Sequence, residues 1–267
     1  MVDPLTLVFL VVGLLLLLLV LGMPVAFALA LCGTIGLALL KSLGLATQLL
    51  GVSPLERIGN YSLTMVPMFV LMGQLAFVAG MSRVAYDVGY KWLGRIPAGL
   101  GVATMAAGAI FGAVSGSSTA TAAALGKVAI PEMRRLGYDK KLAAGCVASA
   151  ALVDNLIPPS IGFVIYGIMT GESIGKLLIS GVVPGLLTML GFSLLLVIIA
   201  LRAPHLLPQG AKTGWRERFA CLPALFPLVL LFVVVIGGIY SGIVTSTEAA
   251  AIGAMTTFIM VLIVLLR

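Results

Sequence analysis

Charge is scarce in this chain. Of its 267 residues, 9% are Asp, Glu, Lys or Arg, against roughly 25% in a soluble domain. With 61% of the residues hydrophobic, too little polar surface remains to cover a water-soluble core. Histidine occurs once, as His205 between Pro204 and Leu206, in a loop where no functional role is expected of it. Cysteine occurs three times, at Cys32, Cys146 and Cys221. An odd count without paired spacing excludes a disulfide framework or a zinc site, so the three read as small buried hydrophobes. Strict polar–apolar alternation is missing as well, and with it the outer-membrane barrel. The first apolar run, Leu5 to Leu21, lacks a basic start and a small-residue cleavage site. It reads as a membrane segment, not a cleaved signal. The formal net charge is +7, but the basic residues are spread over loops between apolar runs, as the positive-inside rule requires. Nucleic-acid binding is excluded on that ground.

What is present is an all-α polytopic membrane protein. A spanning helix needs about 20 apolar residues. The candidate segments are Leu5–Leu40 (interrupted by Gly22, Met23 and Pro24), Ser62–Ala79, Ala98–Gly126, Leu142–Thr170, Ile174–Leu201, Leu222–Tyr240 and Thr247–Leu266. The first is one long kinked element or two tight spans. Ser82–Arg95 mixes Arg83, Asp87, Lys91 and Arg95 with apolar residues and fits a helix lying in the interface plane. Three organisational segments follow: residues 1–97 with N-terminal membrane and interfacial helices, residues 98–173, and residues 174–267 with further membrane helices.

Positive charge gathers in Arg83–Arg95, in Lys127–Lys141 (with Arg134, Arg135 and Lys140) and in Arg202–Arg218 (with Lys212 and Arg216). The first two flank Ala98–Gly126. A single crossing would leave one basic loop outside, whereas a re-entrant hairpin keeps both in the cytoplasm. At ~1.5 Å per residue, the leg from Pro97 to Ser115 rises ~27 Å and that from Ser117 to Pro131 ~21 Å. Each falls short of a ~30 Å hydrocarbon core, so the tip stops at depth.

That tip is Gly112 to Gly126, GAVSGSSTATAAALG. Lipid offers no partner to a free backbone N–H or C=O, so a break at membrane depth is tolerated only when buried in protein or lining a cavity. Glycines at 108, 112 and 116 leave one face nearly bare, which suits close helix packing. Ser115, Ser117, Ser118, Thr119 and Thr121 supply more hydroxyls than packing uses, although some can bond back to carbonyls one turn earlier. Two soluble-enzyme motifs fail on spacing. A phosphate loop ending at Gly126 and Lys127 needs glycine at 121, which is Thr. A nucleophile elbow around Ser115 needs glycine at 113, which is Ala. No cofactor motif is present.

A second break follows at Leu156–Ser160, LIPPS. Pro158 and Pro159 remove two donors and clash with the preceding turn. Freed carbonyls near Asp154, Asn155 and Leu156, with the Ser160 hydroxyl, make an oxygen cage suited to Na⁺. The half-helix after Pro159 turns its positive end toward the break, which suits an anion. This is the discontinuous-helix arrangement of secondary transporters. Asp154 is an acid inside an apolar segment and hence a functional candidate. It faces a watery vestibule or pairs with a loop arginine. Without a second acid or an intramembrane histidine, a membrane-embedded enzyme using Asp154 or a tip serine is disfavoured, and the protein is expected not to be an enzyme. Near the C-terminal end, Ser246 or Thr247 is expected to cap a helix, with Glu248 complementing its dipole.

Several motifs occur in one order: Gly22–Phe27 (GMPVAF), Val66–Phe69 (VPMF), the Gly112–Gly126 hairpin, Ile130–Met133 (IPEM), Gly137–Asp139 (GYD), Ile157–Ile161 (IPPSI), Tyr166 with Gly167, and Thr245–Ala251 (TSTEAAA). Together, over essentially the whole chain, they resemble the large membrane subunit of tripartite ATP-independent periplasmic (TRAP) transporters. The resemblance implies an ion-transporter-like fold and Na⁺-coupled uptake of organic acids, such as C4-dicarboxylates or sialic acids, across the bacterial inner membrane. It implies a periplasmic substrate-binding protein, a small membrane subunit bracing the large one, and an elevator-like domain carrying substrate through the lipid bilayer. On it, residues 1–97 are scaffold- or arm-like and 98–173 are half of a transport domain. Ser115, Gly116, Ser117 and Ser118 take the hairpin-tip positions, and Pro158, Pro159 and Ser160 the broken-helix positions. Thr119, Asp154 and Asn155 complete the candidate site, with Na⁺ expected near Ser117, Ser118, Asn155 and Ser160. Two departures stand out. Glycine-rich small residues usual before the IPPS stretch are replaced by Val153, Asp154 and Asn155. The family's large subunit has two inverted repeats, and these 267 residues hold the first plus one helix. A half that transports only with a second-repeat chain is therefore the alternative expectation.

Overall fold

The computed structural model describes residues 4–210 and 213–265. Lys212 and Leu266, which the sequence places in a basic loop and the last span, lie outside them. Among the described residues all regular elements are helical, since an apolar chain in lipid must close its backbone hydrogen bonds within each segment. The chain forms two compact units, one reaching to Tyr61 and one beginning at Ser62.

In the first unit, α1 (Pro4–Val20) and α2 (Val25–Leu40) are separated at Gly22, whose φ is +83°. They pack closely: a Cβ at Gly36 would sit 3.4 Å from Val11 Cγ2. Leu5–Leu40 is thus two tight helices. Next comes α3 (Leu43–Ile58), to which the sequence reading assigned no element. Gly44, Gln48 and Gly51 dilute its apolar pattern.

A 3₁₀ turn (Tyr61–Thr64) leads into the second unit, whose first α-helix is α4 (Met65–Val78). Then α5 (Met81–Leu93) buries Met81, Ala85, Tyr86 and Val88 and exposes Arg83 and Asp87, the two-faced pattern of an interfacial helix. α6 (Gly99–Ser115) and α7 (Ser118–Arg135) form the hairpin, and α8 (Lys140–Asp154) and α9 (Ile161–Thr170) the broken helix. After them come α10 (Ile174–Ser180), α11 (Val182–Arg202) and the short α12 (Trp215–Ala220). A 3₁₀ turn (Leu222–Leu225) leads into α13 (Phe226–Phe232), which runs through a π turn (Val233–Gly237) into α14 (Gly238–Tyr240). α15 (Ser246–Leu265) ends the described chain. Among the described residues, four helical stretches are long and apolar enough to cross a membrane: Tyr61–Val78, Ile174–Arg202, Trp215–Tyr240 and Ser246–Ile263.

The cap of α15 corrects the sequence reading. Thr245, not Ser246 or Thr247, accepts the Glu248 N–H at 3.3 Å, and the Glu248 carboxylate accepts both the Thr245 N–H and its hydroxyl at 2.8 Å. This reciprocal capping box satisfies orphan donors on both sides. The three cysteines are free and buried, as expected.

α6 runs through the middle of the second unit. Between Gly99 and Ser115 only Ala106 and Ile110 are less than fully buried. Around it Phe69 and Met72 of α4, Leu125 of α7 and Ala150 of α8 complete the core. The helices farther out behave oppositely: Val183, Leu187, Leu190 and Leu194 of α11 are exposed, a face suited to lipid or to another membrane helix. Arg95 and Arg134, at the base of the two hairpin legs, are both exposed. Cysteines placed at these two positions should react with an impermeant maleimide from the same face of sealed vesicles. Labelling from opposite faces would show a single crossing.

Candidate functional site

The hairpin tip is a two-residue turn. α6 ends at Ser115; Gly116 takes φ +61°, ψ 8°, a left-handed conformation that costs glycine nothing; Ser117 is extended and starts α7. The bare glycine face does the packing the sequence suggested. A Cβ at Gly108 would fall 2.8 Å from the Ala150 carbonyl oxygen, one at Gly112 would fall 2.8 Å from Asp154 Cα, and one at Gly116 would fall 2.8 Å from the Pro159 carbonyl oxygen. Three glycines thus bring α6 against α8 and the break at backbone distance. The tip is closed from behind by α4, where a Cβ at Gly73 would lie 2.8 Å from Ser115 Cα.

The break runs from Asn155 to Ser160 and contains a cis peptide between Pro158 and Pro159. The Ile161 N–H donates to the Gly116 carbonyl at 3.4 Å, tying the start of α9 to the turn of the hairpin. Four helix ends therefore meet here. α6 and α8 arrive with their carbonyl ends, and α7 and α9 leave with their N–H ends.

A buried polar cluster lies between these ends. Ser115, Thr121, Asp154 and Ser160 are each at most 1% exposed. Ser115 Oγ lies 2.7 Å from Thr121 Oγ1 and 3.3 Å from Asp154 Oδ2, and it accepts the Ser117 N–H at 3.2 Å. Asp154 Oδ1 and Ser160 Oγ have no hydrogen-bond partner among the described residues. A serine before a helix ordinarily bonds the first-turn N–H groups; Ser160 occupies that position on α9 and makes no such bond. Asp154 neither faces an open vestibule nor pairs with a loop arginine. The glycine face seats its side chain against Gly112, inside the protein.

The remaining sequence candidates spread outward. Gly116, Pro158 and Pro159 are buried, Ser117 and Ser118 are half-buried, and Thr119 and Asn155 are exposed. The Ser117 hydroxyl is engaged with that of Thr119 at 3.0 Å. Leu156 turns its carbonyl against Gly181. Ser115, Gly116, Asp154, Pro159 and Ser160 are thus brought together, whereas Asn155 caps the end of α8. Two participants were missed. Thr121 was counted as a hydroxyl and left out of the site, although it shares a hydrogen bond with Ser115. Gly73 was overlooked, and its signal is that it is the sole glycine of α4.

Residues 12–267 match the family described as the tripartite ATP-independent periplasmic transporter, DctM component. The chain belongs to this family. It is 41% identical over 206 residues to the C4-dicarboxylate TRAP transporter large permease protein of Pseudomonas aeruginosa, covering 77% of this chain and 48% of that one. It is 39% identical over 241 residues to the ectoine TRAP transporter large permease protein of Halomonas elongata, covering 88% and 54%. It is 36% identical over 238 residues to the sialic acid TRAP transporter large permease protein of Vibrio cholerae, again covering 88% and 54%. The chain spans about half the length of these curated relatives. Family and relatives are membrane transporter permeases, not enzymes.

Proposed function

We propose that this chain supplies the hairpin-and-broken-helix half of a Na⁺-coupled, binding-protein-dependent permease for organic acids of the C4-dicarboxylate or sialic-acid type. It works in the bacterial inner membrane by an elevator-like movement. Residues 98–173 move as half of the transport domain, and the flanking helices act as scaffold and arm. A small membrane subunit and a periplasmic substrate-binding protein complete the system. A midplane site between inverted repeats needs two hairpins and two broken helices, and residues 98–173 supply one of each.

The observation that carries this reading is the meeting of two carbonyl ends and two N–H ends around buried, unpartnered oxygens. Carbonyl ends and the Asp154 carboxyl favour a cation. The N-termini of α7 and α9 favour an anionic group of the substrate. Held side by side, cation and anion offset each other's charge in a low-dielectric site. Each then raises the affinity for the other, which is the thermodynamic content of coupling.

The test is the Na⁺ dependence of uptake by the completed transporter. Ser160→Ala removes a hydroxyl with no other partner. It should raise the Na⁺ concentration for half-maximal uptake about fivefold, the equivalent of one ligand hydrogen bond of about 1 kcal/mol. Ser117→Ala should have a smaller effect, because that hydroxyl is already engaged with Thr119. Unchanged Na⁺ dependence in both variants would assign the hydroxyls to packing and remove Na⁺ from this position.

A further inference from the structure

α12 carries a buried cation that the transport site does not use. Arg218 is 8% exposed, and its Nε has no hydrogen-bond partner among the described residues. The guanidinium lies 5.0 Å from the Trp215 ring centroid, a face that attracts a cation but accepts no conventional hydrogen bond. No salt bridge to Arg218 is present among the described residues, and its neighbour Glu217 is exposed. An unpaired buried charge-bearing N–H is costly, so an acceptor of negative charge belongs beside it.

The surroundings show what kind of acceptor. Trp92 of α5 donates its indole N–H to the Arg218 carbonyl at 3.1 Å and meets Phe219 edge-on at 5.6 Å. Trp92 is also one wall of an apolar cavity of about 360 Å³, with Val88, Ala106, Ile110 and Leu222. Ile110 belongs at the same time to a second apolar cavity of about 390 Å³ between α6, α11 and α13. Arg218 lines neither cavity, but Trp92 joins the two parts into a row: it bonds the Arg218 carbonyl and walls the apolar trough that runs along α6. The chain has two tryptophans, and both stand at the head of this row. Tryptophan concentrates at the headgroup level of a membrane.

We propose that this row binds one anionic phospholipid, with its phosphate at Arg218 and an acyl chain lying past Ile110. Arginine matches phosphate oxygens with a planar fork of donors. Basic pockets between helices on the cytoplasmic side are a recurrent form of lipid-headgroup site. In the sequence flanking Trp92 and Arg218, Lys91, Arg95 and Arg216 outnumber Glu217. Such a lipid would tie the interfacial helices to α6, the central helix of the hairpin.

Native mass spectrometry of the full chain, purified in equal dioleoylphosphatidylglycerol and dioleoylphosphatidylcholine, tests the proposal. Phosphatidylglycerol should be retained about fivefold over phosphatidylcholine, the weight of one basic contact. Arg218→Gln should bring the two to parity, and Arg218→Lys should keep most of the preference. Should Arg218→Gln fail to fold, Ala106→Phe decides: it narrows the trough, leaves the cation in place and should still cut retention. Glycerol phosphate, which has the headgroup chemistry without acyl chains, should not displace the lipid. Equal retention of both lipids by the unaltered chain would overturn the proposal, as would an unchanged preference in Arg218→Gln or full retention in Ala106→Phe. Displacement by glycerol phosphate would reveal a soluble-phosphate site and overturn it equally.

Discussion

Gly112→Val should abolish uptake by the completed transporter and destabilise the chain. A Cβ at Gly112 would stand 2.5 Å from Asp154 Oδ1 and 2.8 Å from Asp154 Cα. The second of these is backbone and cannot swing aside. Overpacking of a filled interior costs about 1–3 kcal/mol or more. Here the strain would be relieved only by moving α6 away from α8, which separates the helix ends that make the site. The control lies on the opposite face of α8. Gly145 has nothing within 4 Å of an added Cβ, so Gly145→Ala should be neutral or gain about 0.5–1 kcal/mol from reduced backbone entropy. Melting curves in detergent and uptake in proteoliposomes would decide the matter. Similar behaviour of the two variants would mean that the glycine face does not set the approach of the helices.

Asp154→Asn should weaken cation dependence more than any hydroxyl removal. The amide keeps the size of the side chain and an oxygen for the Ser115 hydroxyl, so packing against Gly112 survives. What is lost is the negative charge beside the carbonyl ends of α6 and α8. A charged hydrogen-bonding or ligand contact is worth about 1.5–3 kcal/mol, equivalent to about 10- to 150-fold in the Na⁺ needed for half-maximal uptake. Maximal uptake at saturating Na⁺ should fall less. A variant with wild-type Na⁺ dependence and reduced stability would make Asp154 a packing residue instead. The amide retains the contacts that a structural role would require, so this substitution separates the two roles better than Asp154→Ala.

Much of this architecture was legible because lipid enforces a simple rule. Wherever the apolar run continues, the backbone is helical, and wherever Gly, Ser or Pro interrupts it at depth, something must shelter the break. That rule placed the tip at Ser115–Ser117 and the second break at Pro158–Pro159. The four-residue spacing of Gly108, Gly112 and Gly116 announced a close contact without naming its partner. The partner, Ala150 through Pro159, is a long-range pairing that a helical period does not encode. The same gap hid the environment of Asp154. Its burial depends on which face of α8 meets α6, and one side chain more or less would turn it outward. Gly73 was unreadable for a related reason: one glycine in an apolar helix has many uses, and only the neighbouring Ser115 backbone reveals which. The Thr245 cap shows a third cause. Three hydroxyls in succession compete for one N–H, and local geometry decides among them.

The seating of the tip has a mechanical consequence. Gly73 on one side and Gly112 and Gly116 on the other meet their neighbours through backbone atoms. Contacts of this kind have no side chain to bend or change rotamer, so they contain no slack. A push on the tip is transmitted whole to α8 and α4 instead of being absorbed locally. The hairpin and the broken helix are therefore stiff with respect to each other, like a key left in its lock. The proposed elevator movement would thus turn the lock and key together, with the yielding parts at the joints around them.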